Sequence, residues 1–249
     1  MKILVANPNT SRGVTDLLIA SGNLVASSGT ELMPMTAPRG VPYIATRAEA
    51  AIGSAVLLEM LAEKRGTFDA AIVAAFGDPG LGGARELFDF PVVGMAEAAM
   101  LVACTLGRSF SIISFAKALE PWFAEIVAWH GMSGRCASIR MLDEPFASIN
   151  DVQDEKEQKL VDLANRTVAE DGADVVILAG APLAGLANRV ADRVPVPLVD
   201  GIQAAVMMAE GLVRLNPRKA IAGTYRRPGP KASTGLGQAL ADVIAHKDA

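Results

Sequence analysis

Residues 69–81 read DAAIVAAFGDPGL. A run of small and β-branched apolar residues, 70–75, breaks abruptly into Phe76-Gly77-Asp78-Pro79-Gly80. A short apolar run bounded by turn residues reads as a strand buried on both faces, the pattern of a parallel sheet. Strands of this kind deliver their last residues to an open edge, where α/β proteins hold ligands. The residue at that tip, Ala75, carries only a methyl group.

Outward from this stretch the chain alternates. A strand over 2–6 stops at Asn7-Pro8-Asn9-Thr10, and helical spacing follows over 11–26, with Thr10 or Ser11 as its cap. An alanine-rich helix covers 48–64, and the quoted strand covers 69–75. Then come a helix over 81–88, a short strand over 91–94 and a helix over 96–106. A second series opens with a strand over 110–114. It continues with a helix over 155–171, a strand over 174–179, a short strand over 197–200 and a helix over 203–215. The βαβα order predicts mainly parallel sheets covered by helices.

The two series repeat each other. Sliding the first forward by 106 positions puts Ala75 on Ala181, Pro91 on Pro197 and Val93 on Val199. PVVGMAEAAM then overlies PLVDGIQAAV, and with a slip of two KILVANPNT overlies FSIISFAKA. A chance likeness of two alanine-rich units would not preserve the spacing from strand tip to Pro-Val to helix, so duplication is the reading taken. It predicts two similar three-layer α/β lobes related by a pseudo-twofold, with the site in the cleft between them. The first would comprise 1–99 plus part of 216–249, and the second 100–215. Ala75 and Ala181 would then face each other across the cleft.

Composition narrows the function. The chain has 249 residues, 51% of them apolar, and a net charge of −4. It has no basic block and no apolar stretch of about 18 residues, which argues against nucleic-acid and membrane partners. The N-terminal apolar run is too short for a signal peptide, so the expected location is cytoplasmic. The two cysteines, Cys104 and Cys136, share no metal-binding spacing, and two histidines, His130 and His246, cannot make a histidine-based zinc site alone.

The residues NPNT, FGDPGL, PVVGMAEAAM, LAGAPLAGLA and VPLVDGIQAAV together resemble the aspartate/glutamate/hydantoin racemase superfamily, most closely its hydantoin and allantoin racemase branch. The similarity runs over nearly the whole length. It implies a small site between two lobes, no cofactor, a small-molecule substrate such as a cyclic amide or carboxylate, and a homo-oligomer. It also implies catalysis by two cysteines, one at each central strand tip, which remove and return a proton on opposite faces of the substrate. The family pattern has Ala-Cys-Phe-Gly-Asp-Pro-Gly-Leu in the first half and Gly-Cys-Ala-Gly in the second. Here the residues are Ala74-Ala75-Phe76-Gly77-Asp78 and Gly180-Ala181-Pro182-Leu183. Both thiols are replaced by methyl groups, which neither accept nor donate protons. An engineered pair of Cys-to-Ala changes would leave Pro182-Leu183 unexplained, so natural divergence is favoured.

The remaining candidates follow. Asn9 and Thr10, between a strand and a helix, are placed to hold a carbonyl or carboxylate. Tyr43 and Ser114 are expected contacts from the resemblance. Phe76, Pro182 and Leu183 would dry the cleft and sharpen any polar contact inside it. Asp78, Glu97 and Tyr43 are the candidate catalytic groups. Against these, Asp78 also reads as a turn residue, Glu97 as a helix cap, and Cys104 and Cys136 as structural. Tyr225 is a weaker candidate, and the cluster Arg226, Arg227 and Lys231 reads as solvated surface. The activities in view are chemistry on a hydantoin-like ring other than two-cysteine racemisation, hydrolysis or desulfuration of a hydantoin or thiohydantoin, decarboxylation, and metabolite binding without catalysis.

Overall fold

Parallel pairing requires each strand to be followed by a crossover, and the crossovers here are the predicted helices. The computed structural model describes residues 1–247. In the first sheet β1 (Lys2–Asn7), β2 (Glu31–Thr36), β3 (Ala70–Val73) and β4 (Val92–Gly94) lie in the order β2-β1-β3-β4. In the second, β5 (Phe110–Ser114), β6 (Cys136–Met141), β7 (Val175–Leu178) and β8 (Leu198–Asp200) lie in the order β6-β5-β7-β8. The second order repeats the first, strand for strand. The register repeats too: Ile3 stands opposite Ala70, and Ser111 opposite Val176, as the shift and slip of the repeat require.

The helices are α1 (Arg12–Asn23), α2 (Arg47–Lys64), α3 (Leu81–Leu87), α4 (Met95–Leu106), α5 (Glu120–Trp129), α6 (Val152–Asp171), α7 (Leu186–Val190), α8 (Gly201–Leu215) and α9 (Gln238–Ile244). Ser11 caps α1 by accepting from the Val14 amide, and Thr46 with Glu49 forms a reciprocal capping box on α2.

Alternation along the strands sorts side chains into three cores. Ile3, Val5, Ile72, Ile112 and Ile177 share a central core with α4 and α8. Leu4, Ala71 and Val73 face an outer core under α2, which Leu240 and Val243 of α9 complete. Ile113, Val176 and Leu178 face the other outer core, under α6. In the centre the helices cross over. α4 packs on β5 and β7, while α8 packs back on β1 and β3. The expected boundary after residue 99 thus falls inside α4.

Five elements of the structure, β2, β6, α5, α7 and α9, were not assigned from sequence. β2 contains Pro34, which lacks an amide hydrogen, and only its edge position tolerates this. β6 is the other outer strand, half-buried and without clean alternation. α5 has no side-chain cap and continues a 3-10 turn at Lys117–Leu119.

Candidate functional site

The carboxyl ends of β3 and β7 bring Ala75 and Ala181 to one cavity. The first half adds Asn9, Tyr43, Ile44 and Phe76, and the second adds Leu119, Trp122, Phe123, Gly180 and Pro182. The cavity is tight, about 20 Å³. A larger hollow of about 540 Å³ lies beside Asp69 and Pro91, which precede β3 and β4. That is the amino edge of the sheet, opposite to where α/β sheets hold ligands.

The groups at the small cavity that lack a partner each carry an N–H or an O–H. The Tyr43 hydroxyl is buried and has no hydrogen-bond partner among the described residues. Its ring lies 5.8 Å from Phe115 and meets Phe146 edge-on at 6.1 Å. Burial, with the nearby Glu49 charge adding to it, pushes the phenol above its ordinary range, so Tyr43 stays protonated at neutral pH. Asn9 is oriented by its neighbours: its Oδ1 accepts from Asn7 Nδ2 at 3.0 Å and from the Ser11 amide at 2.9 Å. Its Nδ2 is therefore left as a donor. The amides of Ala75, Phe76, Gly180 and Ala181 likewise donate to no acceptor among the described residues.

The other predicted residues lie elsewhere. Asp78, turned by a φ of 49°, sends Oδ1 to the Ala96 amide (2.8 Å) and Oδ2 to the Glu97 amide (2.9 Å), so it caps α4. Glu97 pairs with Arg85 through both oxygens. Ser114 donates its hydroxyl to the Ala179 carbonyl at 2.6 Å. Leu183 points into the second outer core. Thr10 holds the Val41 carbonyl through its amide at 2.9 Å and does not line the cavity. Among the described residues no carboxylate, imidazole or thiol lines the cavity. Cys104 and Cys136 are half-buried away from it, and burial pushes the Cys136 thiol up to about 11.

Sequence reading missed the second-half wall of Leu119, Trp122 and Phe123. The signal was there: PWF is the densest aromatic cluster in an aromatic-poor chain. It also missed His130, whose side chain is nearly enclosed between Asp78 and Glu97.

With two strand tips converging on one enclosed space, the comparisons with known proteins become informative. The model of a family described as Asp/Glu/Hydantoin racemase matches residues 3–209. The chain belongs to that family. It is 33% identical to a hydantoin racemase of Paenarthrobacter aurescens over 233 residues, covering 93% of this chain and 99% of the relative. Allantoin racemase from Klebsiella pneumoniae superposes with a TM-score of 0.91 at 34% identity, covering 96% of this chain and 98% of that one. A liganded variant of arylmalonate decarboxylase shares the fold alone, with a TM-score of 0.65 at 15% identity over 85% of this chain and 92% of that one. Membership in the family supports a racemase-type enzyme. No helix among the described residues is long and apolar enough to cross a membrane.

Proposed function

We propose that this chain is a cofactor-independent enzyme that acts on a small hydantoin-like ring or amino-acid derivative held between Ala75 and Ala181, and that it does not racemise by the two-thiol route. The carrying observation is that both strand-tip residues line one cavity where the Tyr43 hydroxyl, Asn9 Nδ2 and the strand-tip amides donate to no acceptor among the described residues. Racemisation needs a proton acceptor on one face of the α-carbon and a proton donor on the other. Methyl groups supply neither, and a phenol kept protonated does not act as a base.

Donors converging on one oxygen or sulfur stabilise negative charge that develops there. Tyr43, Asn9 and the strand-tip amides would polarise a ring carbonyl or thiocarbonyl in this way. The aromatic wall of Phe76, Trp122 and Phe123 keeps the surroundings dry, which strengthens each of those contacts. This donor set suits hydrolysis or desulfuration of the ring, and also loss of CO2 from a carboxylated carbon, since none requires a thiolate. A non-catalytic binding protein is the second reading, and the lack of a base at the cavity favours it.

The test is to incubate the protein in D2O with 5-substituted hydantoins, 2-thiohydantoins and 2-substituted malonates, and to follow mass. The expected result is product from one of these classes and no deuterium at the α-carbon of a hydantoin. Deuterium uptake above background would overturn the proposal. A rise in melting temperature with no product would establish the second reading.

A further inference from the structure

Beside the first strand tip lies a charge cluster that the proposed chemistry does not use. His130 ends α5 with its side chain 4% exposed. Its Nε2 stands 3.1 Å from Asp78 Oδ2, and its Nδ1 stands 3.6 Å from Glu97 Oε1. Arg85 on α3 pairs with Glu97. The other groups facing the cluster are Tyr225, near Arg85, and Lys219, whose ammonium donates to the Arg85 carbonyl.

Both ring nitrogens of His130 face carboxylate oxygens. A neutral imidazole has one N–H and can donate to only one of them, whereas an imidazolium can serve both. Of the cations at the cluster, Arg85 pairs with Glu97 and Lys219 is taken by the Arg85 carbonyl, which leaves protonated His130 as the partner within hydrogen-bond reach of Asp78 Oδ2.

The same helix reaches the cavity. Trp122 of α5 covers Gly77 so closely that a Cβ there would stand 2.4 Å from its ring. Asp78 closes the loop by donating its amide to the Ala75 carbonyl at 3.1 Å. α5 therefore holds one loop at two points, through Trp122 on Gly77 and through His130 on Asp78.

We propose that His130 is a proton-operated brace of the first strand-tip loop: as the imidazolium it clasps Asp78 and Glu97 and fixes the wall formed by Ala75, Phe76 and Trp122, and on losing the proton it lets that wall relax. His130 is a positioning residue, since it touches no part of the cavity. The proposal rests on the reading of this cavity as the ligand site, but its test needs no ligand, so either can fail without the other.

The chain has two tryptophans, one at each end of the brace. Trp129 lies 4.6 Å from the His130 ring, centroid to centroid, close enough for an imidazolium to quench it. Trp122 reports on the loop. In Trp122→Phe the Trp129 emission should fall as the pH is lowered and the imidazole takes up its proton. In Trp129→Phe the Trp122 emission should change with the same midpoint. His130→Gln should abolish both changes. A titration at Trp129 with a flat Trp122 signal would reduce His130 to a structural residue and overturn the proposal. No titration at either would overturn it as well. Both of these comparisons are made with His130 intact, so they stand even if His130→Gln folds poorly.

Discussion

The loops after β3 and β7 occupy equivalent places, and each is tied to the helix that follows the next strand. The ties start from opposite ends. In the first half, Asp78 in the loop reaches forward to the amides of Ala96 and Glu97 on α4. In the second half the carboxylate is Asp200, at the end of β8. Its Oδ1 caps α8 through Ile202 (3.0 Å) and Gln203 (3.2 Å), and its Oδ2 reaches back to the Gly185 amide and to Ser21 Oγ. The position equivalent to Asp200 is Gly94, where a Cβ would stand 2.4 Å from Asp78 Oδ2. Only one of the two places can hold a carboxylate. What the fold requires is the tie, and the sequence position that supplies it is free to move.

The ties differ in charge as well. Asp78 has His130 beside it, while Asp200 is met by neutral donors only. Burial pushes the Asp200 carboxyl upward, opposed by those donors. A brace operated by a histidine proton can therefore exist on the first loop and not on the second.

The largest effect expected is on binding. Ala75→Leu and Ala181→Leu each force a branched side chain into a cavity of about 20 Å³, so each should abolish ligand stabilisation in a thermal-shift assay. If only one of them blocks binding, the ligand contacts one loop and the two walls are not equivalent.

Next come the ties. Asp78→Ala strips α4 of its cap and takes from His130 the nearer of its two carboxylates, at a cost of about 3–5 kcal/mol in denaturant unfolding. Asp200→Ala loses a cap and neutral hydrogen bonds, at about 2 kcal/mol. The reverse order would show that the charge partner at Asp78 contributes nothing.

The paired glycines sharpen the same contrast. Gly77 and Gly180 have φ values of 121° and 114°. Alanine should be strained at both, by about 1–3 kcal/mol. At Gly77 the new Cβ also meets Trp122 at 2.4 Å, whereas at Gly180 the nearest atom is Phe115 Cε1 at 3.1 Å. Gly77→Ala should be the worse by about 1 kcal/mol.

The smallest effects concern α4 and α8. Under the 106-residue shift Cys104 corresponds to Glu210. Burial would raise the Glu210 pKa, but hydrogen bonds from Ser27 and Thr30 outweigh it and hold the carboxyl below its ordinary value. A lowered folded value means that the stabilisation is present above the unfolded carboxylate pKa of about 4.3 and is lost as pH falls through the folded one. Glu210→Gln should therefore cost about 1–2 kcal/mol at neutral pH, and the gap from the parent should narrow in acid. Cys104→Ala should cost less than about 1 kcal/mol and show no such pH dependence.

Much of this organisation was legible in the chain. The apolar run before FGDPG fixed a buried parallel strand, and the repeat paired Ala75 with Ala181 because duplication preserves spacing even where side chains drift. The donor Tyr43 was also named. What stayed hidden depends on tertiary contact. Asp78 and Glu97 look like catalytic carboxylates in a loop and at a helix start. Their side chains are instead used by the amides of α4 and by Arg85, partners that the sequence does not display. His130 was read only as too little for a metal site, since one histidine in a line of text shows nothing of the two carboxylates on either side of it. Trp122 and Phe123 were passed over because α5 has no capping side chain and only Pro121 marks its start, so no surface could be assigned to them.

The crossing of α4 and α8 has a consequence for how the chain becomes a protein. Each sheet finds the cover for its inner face on a helix from the other half. A chain cut near residue 107 would yield two pieces, each with an apolar sheet face open to water and an orphaned helix. Neither should fold alone, and the two should recover structure only when mixed. Although the gene product says the same thing twice, it should unfold as one cooperative unit, and a duplicated ancestor able to stand by itself would have needed a second copy to cover its sheet.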